Sequence, residues 1–211
     1  ALHGWVQSIY NKENAGVIVL PTGMGKTVLA ANIGNIWYDC QPSTSNTCRI
    51  LFLAHQKELL DQSVIEFLKH TRFSLKDCGL LYDTADDRLQ NHAQTQDLSE
   101  KLNSKIVFAS VQSLAKVYSS LAHNHFSLLI VDEFHRYKAS TWLPVIQHFT
   151  KSNYLLGLSA TPFRGDDLNP MEVFDKNYLY RMDLNTAIWQ GYLTWPDWEI
   201  FPDKTNYNEI L

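Results

Sequence analysis

The sequence predicts an α/β fold in which a mostly parallel, doubly wound sheet carries helices on both faces. Short apolar runs alternate with longer segments whose apolar residues recur at helical spacing, a pattern typical of β-α-β units. One run, residues 126–131, is apolar throughout, as expected of a strand buried on both faces. Ligands of such sheets bind beyond the carboxyl ends of the strands, so the polar residues that follow each strand are the first candidates for a site.

The predicted elements follow in order from these patterns. Strands are expected at residues 16–20, 49–54, 79–82, 105–109, 126–131 and 154–158. A first helix is expected at residues 2–12, and a second runs from a glycine-rich turn to about residue 38. A third follows the second strand and ends at about residue 70, a fourth begins at residue 110, and a fifth lies around residues 142–149. The Ser/Thr/Asn/Pro-rich stretch 39–47 indicates a surface loop. The polar, acidic stretch 83–98 has no clear period and is predicted to be a loop with an irregular helix.

The composition fits a globular protein with a sizeable core. The chain has 211 residues, of which 45% are hydrophobic and 19% are charged. No run approaches the ~18 apolar residues of a membrane span and no signal peptide is visible, which predicts an intracellular protein without a membrane partner. The net charge of -4 excludes a uniformly basic surface but leaves room for a local nucleic-acid face. Three cysteines without C-x-x-C spacing favour a reducing compartment.

A glycine-rich turn lies between the first strand and the first long helix. It consists of Pro21, Thr22, Gly23, Met24, Gly25, Lys26 and Thr27. Gly23 and Gly25 let the backbone curl until its N–H groups reach a polyphosphate, and the positive end of the following helix favours the same charge. Lys26 can reach the β- and γ-phosphates, and the Thr27 hydroxyl can coordinate Mg²⁺. Leu20 stands where the general phosphate-binding pattern has glycine, so the alternative is a strand–helix turn with an incidental lysine.

The fully apolar strand ends in an acidic pair, Asp132 and Glu133. Asp132 can hold Mg²⁺ directly or through water, and Glu133 can orient or deprotonate the water that attacks a γ-phosphate. The alternative is a surface pair that caps the following helix. His135, Ser159 and Thr161 also follow strands, although each could be an ordinary surface or strand-end residue. The polar groups at the carboxyl ends of the strands share one predicted edge of the sheet, which we call the rim. It also includes the glycine-rich turn, His55, Ser110 and Gln112.

Five segments, in chain order, resemble motifs I, Ia, Ib, II and III of superfamily 2 helicases and translocases. They read PTGMGKT, LAHQKELLDQ, VFASVQSL, VDEFHR and GLSATPFR, with motif II in its DExH form. The wider sequence is similar to the type III restriction enzyme (ResIII) branch. The resemblance covers roughly residues 2–195 and implies a RecA-like P-loop NTPase fold. It also implies that residues 1–166 form the first, ATP-binding RecA-like domain and that residues 167–211 end it and lead towards a second RecA-like domain outside the chain.

The resemblance implies a role for each motif residue. Phosphate and Mg²⁺ binding is implied for the turn residues 21–27, and metal binding in particular for Thr27 and Asp132. Catalytic roles are implied for Lys26, Asp132 and Glu133. Coupling of the nucleotide to nucleic acid is implied for His135, Ser159 and Thr161. Contacts to the sugar-phosphate backbone are implied for His55, Gln56, Ser110 and Gln112, and a loose match makes Gln7 the adenine reader. The family often has arginine at the position of Gln56. Short polar side chains suit phosphate and sugar rather than base edges, which predicts little sequence preference and strong salt dependence.

The implied function is that of an ATP-dependent DNA helicase or duplex translocase. ATP and Mg²⁺ are its implied cofactors, and its implied partners are nucleic acid, DNA rather than RNA, and the second RecA-like domain. The isolated chain is expected to be nearly inactive, because one domain lacks the second wall of the nucleotide site. There are two alternatives. The chain could be a module that binds nucleotide or nucleic acid without independent catalysis, or it could be the motor part of a restriction-type complex. A P-loop hydrolase unrelated to nucleic acid is disfavoured by the SATP and His55 segments.

Overall fold

The computed structural model describes residues 1–40, 48–134, 141–149, 154–161, 174 and 177–197. The strands are β1 (Ala15–Val19), β2 (Ile50–Ala54), β3 (Cys78–Leu81), β4 (Ile106–Ser110), β5 (Leu128–Asp132), β6 (Tyr154–Ser159) and β7 (Tyr178–Arg181). The α-helices are α1 (Leu2–Tyr10), α2 (Lys26–Cys40), α3 (Lys57–His70), α4 (Asp87–Thr95), α5 (Leu98–Asn103), α6 (Val111–Leu114), α7 (Trp142–Phe149) and α8 (Leu184–Trp189). Short 3₁₀ turns occur at Leu75–Asp77 and Tyr118–Ser120.

The seven strands form one sheet in the order β3-β4-β2-β5-β6-β1-β7. Every strand pairing in the described part of the chain is parallel. The first two strands of the chain are therefore not neighbours, because β6 and β5 lie between β1 and β2. This crossover pattern is that of the doubly wound sheet that the sequence predicts.

Two apolar layers, one on each face of the sheet, hold the helices in place. Successive strand residues point to opposite faces, so Ile18 belongs to one layer while Val17 and Val19 belong to the other. The first layer receives Ala30, Ala31 and Ile33 from α2 and Leu60, Val64 and Phe67 from α3. The second receives Trp142, Val145, Ile146 and Phe149 from α7. Full burial of one such Leu, Ile or Phe side chain contributes about 1.5–3 kcal/mol, so both layers fix the strand ends firmly.

The sheet extends one strand beyond the sequence-based expectation. β7 pairs with β1 through Val17 and Tyr178 and through Val19 and Arg181, with a register shift after Val17. β7 is a short strand at the end of the sheet and none of its residues is fully buried. Its sequence therefore lacks the continuous apolar run from which a strand could be predicted. The helix that follows, α8, places Ala187 in the first apolar layer. The predicted domain division at residues 166 and 167 lies outside the described residues and stays a prediction.

The prediction for residues 83–98 needs correction, because most of this stretch is the regular helix α4. Asp86 begins the helix, where its carboxylate accepts hydrogen bonds from the backbone N–H groups of Arg88 (2.9 Å) and Leu89 (3.2 Å). Leu89 is the buried residue of α4, so the helix leaves no apolar stripe for a period search to detect. Residues 41–47 of the predicted loop lie outside the described residues. Among the helices described, none has the length and apolar character needed to cross a lipid bilayer.

Candidate functional site

The glycine-rich turn joins the carboxyl end of β1 to the start of α2. Gly23 and Gly25 have φ angles of 86° and 74°, in the left-handed region that favours glycine. A Cβ atom at Gly25 would meet nothing within 4 Å, so the backbone conformation rather than crowding requires glycine there. The first N–H groups of a helix have no partner within it, so the start of α2 offers donors to an anion in the turn.

Lys26 is held at the base of this turn. Its Nζ donates hydrogen bonds to the backbone oxygens of Leu20 (3.0 Å) and Pro21 (3.2 Å). Burial lowers the pKa of Lys26 from its ordinary value, and the negative charges of Asp132 and Glu133 oppose that effect. The lysine and the acidic pair therefore act on each other electrostatically, as residues of one site do.

β6 connects the two parts of the candidate nucleotide site. The N–H of Leu20 donates to the backbone oxygen of Ser159 (3.0 Å), and Ser159 stands opposite Val19 of β1. On the other side of β6, Leu158 stands opposite Asp132 of β5. The turn and Asp132 therefore lie at the same edge of the sheet, two strand spacings or roughly 10 Å apart.

The acidic pair combines a partly buried carboxylate with an unusual backbone. Burial raises the pKa of Asp132 to about 6, and the charge of Glu133 adds to this effect. Lys26 and the backbone N–H of Glu133, which donates to Asp132 Oδ1 (2.9 Å), act in the opposite direction. Glu133 has a φ angle of 54°, which is uncommon for a residue with a side chain and frequent at functional sites.

The donor set at this edge suits Mg²⁺ bound together with a phosphate. Among the described residues, no group of three or more His, Cys, Asp or Glu side chains could hold a metal alone. Mg²⁺ in nucleotide sites commonly uses one or two carboxylates and completes its coordination with phosphate oxygens and water. The carboxylate of Asp132 and the hydroxyl of Thr27 are oxygen ligands of this kind. A bound cation would also offset the cost of keeping the Asp132 carboxylate ionised in a partly buried position.

Ser159 and Thr161 form a small hydrogen-bonded turn after β6. Ser159 Oγ donates to the backbone oxygen of Thr161 (2.6 Å) and accepts from its N–H (3.1 Å). Ser159 is fully buried beside the start of the glycine-rich turn. The pair therefore lies close to the candidate nucleotide site, and its coupling role stays a prediction. His135, the third residue of this predicted group, lies outside the described residues.

The four predicted nucleic-acid contacts occupy the other half of the rim, at the ends of β2 and β4. These strands are neighbours, with Ala54 opposite Ser110. His55 Nδ1 and Gln112 Nε2 share a hydrogen bond of 2.9 Å, so two residues 57 positions apart meet at the exposed edge. Ser110 begins α6, where its Oγ accepts from the N–H of Ser113 (3.1 Å), and Gln56 is the exposed N-cap residue of α3.

Gln7 is not linked to the glycine-rich turn by the described contacts. Its side-chain amide donates to Asn11 Oδ1 (3.2 Å) on the exposed side of α1. Its neighbours on α1 contact other elements, since Trp5 packs on Trp37 and Ser8 shares a hydrogen bond of 2.7 Å with Tyr154. The role of Gln7 as the adenine reader therefore stays a prediction.

One neighbour of the turn is not apparent from the sequence motifs. The segment 190–197 follows α8, and the side chain of Leu193 lies 3.5 Å from the position that a Cβ of Gly23 would occupy. Gly191 ends the helix with a φ angle of 75° and donates its N–H to the backbone oxygen of Ile188 (2.9 Å). The glycine after a helical run signals this helix end, but no local pattern reveals a contact with a turn about 170 positions away.

Several known proteins are similar to this chain over most of its length. Residues 1–164 match the model of the family described as type III restriction enzyme, res subunit. A type I restriction enzyme EcoAI endonuclease subunit of Escherichia coli is 26% identical over 198 residues, which are 92% of this chain and 22% of that protein. An ATP-dependent DNA helicase MPH1 of Eremothecium gossypii is 30% identical over 174 residues, 79% of this chain and 15% of that protein. The chain therefore spans about a quarter or less of these relatives.

A solved structure shares the fold. The crystal structure of the Hef helicase domain of Pyrococcus furiosus superposes with a TM-score of 0.70 at 20% sequence identity, over 93% of this chain and 40% of that one. This likeness, together with the parallel seven-stranded sheet, confirms the predicted RecA-like fold class.

Proposed function

The chain belongs to the type III restriction enzyme res subunit family, and we propose that it is the ATP-binding motor domain of a DNA helicase or duplex translocase. The observation that carries the proposal is the placement of Lys26 and Asp132 at one edge of the sheet, across the single strand β6. The N–H groups of the glycine-rich turn bind the phosphates of ATP, and the Lys26 ammonium neutralises part of their charge. This pairing is the one that phosphoryl transfer to water requires.

The acidic pair supplies the rest of the chemistry. Asp132 and Thr27 hold Mg²⁺, which neutralises phosphate charge when it is bound. Glu133 orients the attacking water and accepts its proton, as a general base does. The positive φ of Glu133 supports this role, because a constrained backbone can position a carboxylate in advance of substrate binding.

The second half of the rim holds the nucleic acid. His55, Gln56 and Gln112 are exposed and uncharged or weakly basic groups at the ends of neighbouring strands. Groups of this kind suit the sugar-phosphate backbone, which a motor must hold without reading the sequence. DNA is favoured over RNA because the MPH1 relative is named a DNA helicase. A second RecA-like domain completes the nucleotide site, so this chain by itself is expected to bind nucleotide weakly and to turn over negligibly.

The test is the ATPase rate of the complete protein with no nucleic acid, duplex DNA, single-stranded DNA or RNA. We expect DNA to stimulate hydrolysis and Lys26→Ala to reduce it by about 100-fold or more, since one lost electrostatic contact to the transition state has such effects. Lys76→Ala, an exposed lysine before β3, is the matched control. ATP hydrolysis that no nucleic acid stimulates would contradict the proposal of a nucleic-acid motor. Intact ATP binding without hydrolysis on any nucleic acid would instead support the alternative of a binding module without independent catalysis.

A further inference from the structure

Three large aromatic side chains are exposed within seven residues at the end of α8. Trp189, Tyr192 and Trp195 are 78%, 62% and 62% exposed. The two indole rings meet edge to face, with centroids 5.9 Å apart and planes at 87°. Aromatic side chains usually bury most of their surface, so an exposed cluster of this size indicates a surface that binds something. We call these three residues the aromatic cluster.

The cluster is held in a fixed direction by the end of α8. The N–H of Tyr192 donates to the backbone oxygen of Ala187 (2.9 Å), and the N–H of Gly191 donates to that of Ile188 (2.9 Å). These two bonds and the positive φ of Gly191 form the Schellman motif, a common and rigid way of ending a helix. Leu193 then packs against the first apolar layer. The cluster is therefore anchored on both sides by ordered contacts.

The cluster borders the phosphate-binding turn. Leu193, whose side chain lies 3.5 Å from where a Cβ of Gly23 would stand, follows Tyr192 directly and comes two positions before Trp195. Two extended residues span about 7 Å, so the backbone of Tyr192 and Trp195 lies close to the residue that faces the turn. The candidate nucleic-acid residues lie elsewhere, because β5 and β6 separate the ends of β2 and β4 from β1. The nearest ligand chemistry is thus that of the nucleotide.

We propose that the aromatic cluster stacks on the purine base of the nucleotide whose phosphates occupy the turn. The proposal rests on the proposed nucleotide site and adds its base-recognition surface. An indole that meets its neighbour edge to face keeps a free face, and stacking of a base on an aromatic side chain contributes about 1–3 kcal/mol. Every base has such a face, so the cluster favours the larger purines over pyrimidines but discriminates weakly between ATP and GTP.

The experiment compares MgATP with inorganic tripolyphosphate, which has the phosphates but no base. Both are titrated calorimetrically into the complete protein, its Trp189→Ala/Trp195→Ala double variant and Tyr192→Ala. Loss of one stacked aromatic contact is expected to weaken MgATP binding about tenfold and to leave tripolyphosphate binding unchanged. Tyr10→Ala, which removes an 83% exposed aromatic ring from α1, is the control and should change neither.

The outcomes separate this inference from the proposed function. Unchanged MgATP affinity in all cluster variants would overturn base stacking while the nucleotide site stands. Equal weakening of MgATP and tripolyphosphate would also overturn it, because the segment would then act through the turn itself. If the unaltered protein bound neither compound, the proposed nucleotide site would fail first. Circular dichroism of each variant confirms that the fold is retained.

Discussion

The two halves of the rim have the same scaffold but different physical character. At the ends of β1, β6 and β5, the backbone takes left-handed conformations at Gly23, Gly25 and Glu133, and the partly buried groups Lys26 and Asp132 have shifted pKa values. At the ends of β2 and β4, the predicted contacts are mostly exposed side chains on ordinary strand–helix junctions. The half proposed to bind nucleotide is thus strained and charged, and the half proposed to bind nucleic acid is open and adaptable.

This difference follows from what each half is proposed to bind. A triphosphate is small and highly charged, so its site must place few groups accurately, and unusual backbone and buried charge are the cost. A nucleic-acid backbone is long and repetitive, so many weak contacts at the surface suffice. Substitutions in the first half should therefore have large, specific effects, and those in the second should have small ones.

The largest effect of a substitution in the half proposed to bind nucleotide is expected for Glu133→Gln. Loss of the general base should lower the rate of ATP hydrolysis by about 100-fold or more while nucleotide affinity is retained, because the amide still fits but cannot accept the proton. Single-turnover hydrolysis and nucleotide titration of the complete protein measure the two quantities. Glu58→Gln, in the exposed first turn of α3, is the matched control in the other half and should hydrolyse ATP normally. Turnover within threefold of normal in Glu133→Gln would exclude Glu133 as the base.

A smaller effect with a defined sign is expected for Asp132→Asn. The pKa of Asp132 is raised to about 6, above the unfolded value of about 3.9, so the native state holds this proton more tightly than the unfolded chain does. The free energy of unfolding should therefore fall as pH rises from about 4 to 6, and Asp132→Asn should be more stable above pH 6 by about 1–2 kcal/mol. Urea unfolding of both proteins without Mg²⁺, at pH 4 and at pH 7.5, measures this difference in the free energy of unfolding.

Asp77 provides a control of opposite sign. Burial alone would raise the pKa of Asp77, but hydrogen bonds from Lys105 and Ser74 lower this pKa to about 2. A lowered pKa contributes stability that is present above pH 4 and is lost as pH falls towards 2, so Asp77→Asn should destabilise the protein at pH 7.5. A stabilisation by Asp132→Asn that did not shrink between pH 7.5 and pH 4 would show that burial of the charge is not its cause.

The smallest effects are expected at the hydrogen bond between His55 and Gln112. Each single change to alanine should weaken DNA binding a few-fold, and a double-mutant cycle should give a coupling energy of about 0.5–1 kcal/mol. The salt dependence of binding should hardly change, because no fixed charge is removed. ATP affinity without DNA should be unaffected, which fluorescence anisotropy and nucleotide titration can verify. A large loss of ATP affinity in either variant would show that the two halves are not separate.

The position of the candidate nucleotide residues on the fold could be predicted from the sequence because its determinants are local. A strand, two glycines, a lysine and a helix start are adjacent in the chain, and the apolar strand that ends in Asp132 is equally plain. That these pieces share an edge follows from the rule for parallel sheets. The meeting of His55 and Gln112 required the sheet order as well, which places β2 beside β4.

The rest could not be predicted because its determinants are contacts between distant residues. β7 is short and partly exposed, and α4 is anchored by Leu89 with no apolar stripe. The proximity of Leu193 to the turn brings together segments far apart in the chain and leaves no periodic signal. The match at Gln7 is loose, and its role as the adenine reader stays a prediction, since its described hydrogen bond is to Asn11.

The position of β6 between β1 and β5 limits how the length of this chain can vary. A residue inserted into β6 would turn its following side chains to the opposite face and move Leu158 and Ser159 out of register with Asp132 and Val19. The exposed turns beyond the strand ends have no such constraint. Length variation among homologous chains should therefore accumulate in loops, while β6 keeps a constant number of residues even where its apolar side chains are exchanged for others.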